Sequence, residues 1–208
     1  CLKEKKIIII VDNFFKKNSV FKKLKNKLSK YVVNTFYISG PPKIEKINKI
    51  FKKINGKYNT ILSVGGGTIT DFSKAIMAKK YFGKLDGINI GKDVSNYKKK
   101  NVQLISLPTT VGSGAETSRY YVVFDNNNKK IHGKSWNLCS DYVFIDYLLI
   151  KNLPKDQILL SSFDCFIHYV ETFICKNEKS WFNEILSLNL IPVIIEALNN
   201  LLHKKKQK

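Results

Sequence analysis

Apolar and polar positions fall into two regimes along the chain. Over the first 150 residues, short apolar runs alternate with segments of helical period. KIIIIV (6–11) is a strand-length run bounded by polar residues, and VVNTFYI (32–38), TILSV (60–64) and NVQLISL (101–107) are further strands. Between them lie SVFKKLKNKLSKY (19–31), KIEKINKIFKKI (43–54) and TDFSKAIMAKKYF (70–82), with apolar residues at helical spacing. In the second of these, Ile44, Ile47, Ile50, Phe51 and Ile54 share one face. SGPP closes the 32–38 strand. Strands alternating with helices predict α/β architecture: a parallel sheet covered by helices.

The pattern changes after Ser118. RYYVVFD and KKIHGKSW flank an NNN turn and read as a hairpin, and DYVFID (141–146) reads as one more strand. From Pro154 only helical periodicity remains, over about 155–176 and about 180–203. We therefore expect an α/β domain at 1–153 and the first helices of an all-α domain at 154–208. The chain begins on Cys1 and stops in HKKKQK directly after a helical pattern, so both ends are expected to be cut and the α domain truncated.

Composition narrows this picture only slightly. The 208 residues, 44% of them hydrophobic, suit one large domain or two small ones with a real core. No apolar run approaches the ~18–20 residues that span a bilayer, so no membrane partner is expected. The formal charge of +20 raises nucleic acid as a partner. Arg119, however, is the only arginine, and the lysines are spread over helix faces where water solvates them, so no nucleic-acid partner is expected either. Cys1, Cys139, Cys165 and Cys175 form no CxxC pair, and reduced thiols in a cytoplasmic protein are the default.

Three stretches carry candidate chemistry. In SVGGGTITD, Gly65, Gly66 and Gly67 stand between a strand and a helix. Residues without Cβ let backbone N–H groups approach a ligand, and the helix behind them points its positive end at the same place. Thr68 and Asp71 also form a T-x-x-D capping pattern, so a phosphate cradle and a tight capped turn both remain open. SLPTTVGSGAETS (106–118) follows the next strand and offers hydroxyls and amides for ribose and phosphate, or is simply a long loop. Both loops fall at the carboxyl edge of a parallel sheet, where α/β ligands bind. In DCFIHYVE, Asp164, His168 and Glu171 share a helix face. A carboxylate and an imidazole one turn apart can bind a divalent metal, or can be an ordinary helix-start Asp and a half-buried His.

In order and separation, GGGTITDFSK, PTTVGSGAE and DCFIHYVE resemble the linked motifs of the iron-containing (group III) alcohol dehydrogenases, over about the first half of that family's length. The resemblance implies a Rossmann-like parallel-sheet domain followed by the start of an all-α domain. It implies that Gly65, Gly66, Gly67 and Thr68 hold the dinucleotide pyrophosphate, with Asp71 and Lys74 near the phosphates and nicotinamide. Thr109 and Thr110 would contact the cofactor, with Ser113 nearby, and Lys130 would reach toward it. Asp12 matches the carboxylate that bonds the adenine ribose, which favours NAD over NADP. Asp164 and His168 match two of four ligands to Fe²⁺ or Zn²⁺. The family's two remaining metal-binding histidines would lie beyond Lys208, and neither His132 nor His203 matches them.

The implied activity is hydride transfer between NAD(H) and a small alcohol or aldehyde, with the metal as Lewis acid. Family members are often dimers or larger, so a homodimer or larger assembly is expected of the full-length protein. No residue is assigned a catalytic role. GSGAETSRYYVVF and SDYVFID also resemble the phosphonoacetaldehyde reductase branch, although members of that branch carry Gln where His168 stands. The alternatives are therefore a phosphonoacetaldehyde reductase of phosphonate metabolism and an inactive nucleotide-binding fragment. Alone, the 208 residues are expected to bind nucleotide weakly, to lack turnover, and to aggregate through apolar positions such as Leu186, Leu188, Leu190, Ile194, Ile195 and Leu198.

Overall fold

The computed structural model describes residues 6–54, 58–82, 102–174 and 180–203. Cys1, Cys175, Asn101 at the start of one expected strand, residue 176 and the terminal lysines lie outside the described residues. The chain divides into two compact units, residues 1–109 with 114–152, and residues 110–113 with 153–208.

The first unit is built on a five-stranded parallel sheet in the order β2-β1-β3-β4-β7. Its strands are β1 (Ile7–Asp12), β2 (Val32–Ile38), β3 (Thr60–Gly65), β4 (Gln103–Pro108) and β7 (Tyr142–Val143). Helices α1 (Ser19–Lys27), α2 (Ile44–Lys53) and α3 (Gly67–Phe82) connect them, and a hairpin of β5 (Tyr120–Phe124) and β6 (Lys130–Lys134) lies outside the sheet. A short helix α4 (Tyr147–Ile150) ends the unit.

The IIIIV run of β1 is apolar at every position because both faces of a central parallel strand are covered. Side chains alternate across the pleat. Ile8, Ile10, Ile61 and Leu104 pack under α2, α3 and the hairpin residues Tyr121 and Val123. Ile7, Ile9, Val11, Leu62 and Val64 pack on the other face against Phe15, Phe21 and Leu149. Helix α3 is buried almost continuously from Phe72 to Ala78, because it lies between sheet and hairpin.

In the second unit, α5 (Lys155–Ile174) and α6 (Trp181–His203) pack together, with Thr172 Oγ1 2.9 Å from the Oγ of buried Ser187. Gly112 has φ +145°, and a Cβ there would lie 2.8 Å from the Ser161 carbonyl carbon. Leu186, Leu188 and Ile195 are exposed, whereas Leu190, Ile194 and Leu198 are half-buried at one-turn spacing.

Three expectations are corrected. The strand expected over 141–146 pairs only at Tyr142–Val143. Among the described residues it is the edge of the sheet, paired with β4 alone, and Phe144 and Ile145 are exposed. The T-x-x-D cap does not form. Helix α3 starts at Gly67, the Gly66 carbonyl accepts from Ile69 and Thr70 N–H, and Asp71 is drawn to the hairpin instead. Finally, polar residues interrupt the apolar run of α6, so a search for unbroken runs passes over it. As a 23-residue helix it is nevertheless long and apolar enough by length and composition to cross a membrane. The core helix of a helical domain has the same character.

Candidate functional site

The strand order places a switch point at β1. The chain leaves β1 for β2 on one side and returns to β3 on the other, and ligands of open α/β sheets bind outside the carboxyl ends of strands at such a point. A cavity of about 420 Å³ lies there, lined by Asp12, Gly40, Pro41, Thr68 and Phe124 among others. That volume falls within the ~300–1,000 Å³ of small-molecule sites.

Each wall has a local cause. Asp12 is the last residue of β1, and its Oδ1 accepts the Phe14 N–H at 2.8 Å, capping the 3₁₀ turn Asn13–Lys17. That bond fixes the carboxylate at the strand end. Beyond β2 the chain turns at Gly40, whose φ of +72° is a conformation that favours glycine. Pro41 and Pro42 follow, and the Pro42 carbonyl accepts the Phe124 N–H at 3.0 Å, bringing the end of β5 to the cavity. Thr68, on the first turn of α3, is exposed and supplies a hydroxyl. The backbone N–H groups at that helix start face the same edge, where the helix dipole favours an anion.

Gly65 has a reason of its own to lack a side chain. A Cβ there would lie 2.6 Å from the Ile69 Cβ, so packing of β3 against α3 already requires glycine. The Gly65 carbonyl accepts the N–H of buried Thr109 at 3.1 Å, which ties the loop after β4 to the loop after β3.

Asp71 and Lys74 point away from open solvent. Lys74 is fully buried, and its ammonium donates to the carbonyls of Ala115 (2.6 Å), Ser118 and Tyr120 (2.8 Å). Asp71 accepts from the Val122 N–H. Burial pushes its pKa up to about 7, against the opposing pull of the Lys74 charge and that hydrogen bond. Lys130 is exposed at the start of β6, in register with Phe124.

In the second unit, Thr110 and Ser113 are half-buried. His168 Nε2 lies 3.9 Å from Asp164 Oδ1, both side chains are about half exposed, and His168 Nδ1 is 3.3 Å from the Gly112 carbonyl. Glu171 is exposed. One carboxylate and one imidazole supply two donors, and no group of three candidate ligands exists among the described residues. By themselves they do not fit the closed donor set that a tightly held metal needs. Burial, then the Asp164 charge, push the Cys165 thiol up.

The structure thus brings Asp12 and Thr68 to one cavity and joins Gly65 to Thr109, while it commits Asp71 and Lys74 to the backbone of 115–122. Sequence reasoning missed Phe124 and the Gly40–Pro42 turn as cavity walls. The signal in the sequence is SGPP, which reads equally as the end of a strand.

Residues 1–147 match the family described as iron-containing alcohol dehydrogenase. The chain is 32% identical over 174 residues to a 4-hydroxybutyrate dehydrogenase of Clostridium kluyveri, a match covering 81% of this chain and 44% of that protein. The alcohol dehydrogenase from Oenococcus oeni shares the fold with a TM-score of 0.83 at 23% identity, over 97% of this chain and 54% of that one. Sulfoacetaldehyde reductase from Bifidobacterium kashiwanohense, solved in complex with NAD+, does so with a TM-score of 0.78 at 18% identity, over 97% and 55%. The chain spans about half the length of these proteins. With the family matching most of its length and the parallel sheet and following helices in place, the chain belongs to the iron-containing alcohol dehydrogenase family.

Proposed function

We propose that the protein to which this chain belongs transfers hydride between NAD(H) and a small alcohol/aldehyde pair, and that the first unit is its dinucleotide site. The observation that carries this reading is the switch-point cavity shared by Asp12 and Thr68. Asp12 would bond the adenine ribose hydroxyls, and its charge opposes a 2′-phosphate. Gly65, Gly66, Gly67 and Thr68, at the positive end of α3, would take the pyrophosphate. Thr109 and Lys130, in the same unit, would serve the rest of the cofactor. The nicotinamide, when bound, supplies or receives the hydride. Fe²⁺ or Zn²⁺ would be held by Asp164 and His168 with further donors from elsewhere in the whole protein. The 32% identity to a 4-hydroxybutyrate dehydrogenase supports an alcohol bearing a distant carboxylate as the first substrate to try. Phosphonoacetaldehyde, another small anionic aldehyde, belongs beside it.

The test is nucleotide titration of the purified chain, followed by nicotinamide fluorescence. NADH binding with NADPH weaker by roughly tenfold, about 1.4 kcal/mol of like-charge repulsion, is the expected result. Equal affinity for the two would remove Asp12 from its role, and absence of binding to either would overturn the dinucleotide reading. For the full-length protein, NAD⁺ reduction with 4-hydroxybutyrate or NADH oxidation with phosphonoacetaldehyde selects the substrate class.

A further inference from the structure

Among the described residues, the hairpin strand β5 pairs as a strand with β6 alone, and its other edge carries a single isolated bridge, from Phe124 to Lys43. Its other edge carries the backbone groups of alternate residues, which would otherwise be an open row of donors and acceptors. Two side chains one turn apart on α3 occupy that row. Lys74 takes the carbonyls of Ser118 and Tyr120, and that of Ala115 just before them. Asp71 takes the Val122 N–H. The next group along the same edge, the Phe124 N–H, is taken by the Pro42 carbonyl. Lysine has only donors, and a carboxyl group keeps an acceptor oxygen in either protonation state, so the pair reads the carbonyls and the amide of this edge in the right order. The last residue of the strand so held is Phe124, a wall of the cavity that Asp12 and Thr68 share.

We infer that Asp71 and Lys74 serve nucleotide binding as positioning residues that never touch the nucleotide: they hold backbone groups at the outer edge of β5 and thereby set Phe124 against the cavity. This inference rests on the dinucleotide reading above and changes the part these two residues play in it. A direct role at the phosphates would require the Lys74 ammonium to leave three carbonyls inside the protein, with a desolvation cost for each group left behind.

The experiment uses the 208-residue chain and NADH. Lys74→Met and Asp71→Ala are expected to weaken NADH binding by roughly tenfold, and Asp71→Ala to speed hydrogen exchange at the Val122 amide. Asp71→Asn keeps an acceptor oxygen of the same reach and restores both. The salt dependence of NADH affinity stays that of the unsubstituted chain in Lys74→Met, because no contact to phosphate is lost. In a Phe124→Ala background, Asp71→Ala costs little more, since both act through one wall.

Four results would overturn the inference: a flattened salt dependence in Lys74→Met, Asp71→Asn as weak as Asp71→Ala, full additivity with Phe124→Ala, or unchanged NADH affinity in Asp71→Ala. Should Lys74→Met fail to fold, the Asp71 pair and the Phe124 cycle decide alone. If the unsubstituted chain binds no NADH, the dinucleotide reading has failed and the inference falls with it. That failure is visible before any substitution is made.

Discussion

Replacing Asp71 with Asn should make the first unit more stable at pH 8 and leave it nearly unchanged near pH 4. The carboxyl titrates ordinarily at 3.8 and is pushed up to about 7 in the folded chain, chiefly by burial. Between those values the folded protein holds a proton that the unfolded chain has released. Stability therefore falls as pH rises through this window: the contribution is fully present below 3.8 and is lost as pH climbs through 7. Each pH unit of the window is worth about 1.4 kcal/mol, so the roughly three units sum to ~4 kcal/mol. The nearby Lys74 charge couples to the group, and ~2–4 kcal/mol is the range we expect to measure. Asn cannot titrate, and it keeps an oxygen for the Val122 N–H. Ionisable groups that do not interact with Asp71 cancel when the two proteins are compared at the same pH. The assay is urea unfolding at pH 4.5, 6 and 8, followed by Trp136 fluorescence with Trp181→Phe in both proteins, so that the signal comes from the first unit alone. The Asn variant should gain steadily on the parent from pH 4.5 to 8. A difference that stays flat across that range, or an Asn variant that loses ground as pH rises, would refute burial as the dominant influence on Asp71.

Two glycines give further tests. Gly65→Ala should cost about 1–3 kcal/mol from overpacking against Ile69, with a lower thermal midpoint in the absence of any nucleotide. If the nucleotide-free protein keeps its full stability, the glycine serves only a ligand. Gly112→Ala combines a left-handed backbone with a collision at the Ser161 backbone, so it should lower helical unfolding temperature, read by circular dichroism at 222 nm. An unchanged melt would show that the segment relaxes freely.

The strands and helices of the first unit were legible because both periods in the sequence have one cause, burial on a defined face. The 32–38 strand matches β2 at both ends, and the helices at 19–31, 43–54 and 70–82 match α1, α2 and α3 with shifted boundaries. The errors fall where a partner distant in sequence decides. DYVFID has the composition of a strand, yet pairing needs a neighbour, and beyond β4 only two residues find one. Thr68 and Asp71 have the spacing of a capping box, but the Val122 N–H, fifty-one residues downstream, claims the carboxylate. Asp12 and Thr68 could be placed at one edge from the order of parallel strands alone, whereas Phe124 could not, because β5 is held by partners distant in sequence, the Pro42 carbonyl and Lys74 among them.

The same distinction explains why one motif, GGGTITDFSK, does two jobs that its letters do not separate. Its first half, Gly65 to Thr68, lies at the open carboxyl edge beside the cavity. Its second half, Asp71 and Lys74, is a turn deeper on α3 and faces the hairpin. A helix that begins at a ligand site has its first turn available for the ligand and its second for whatever packs beside it. Here the neighbour is a strand whose outer edge pairs with no further strand among the described residues, the kind of neighbour that demands charged or polar side chains from an otherwise buried helix. Lysine at the fully buried position 74 answers that demand: three carbonyls converge there, and a compact ammonium with three donors meets them together.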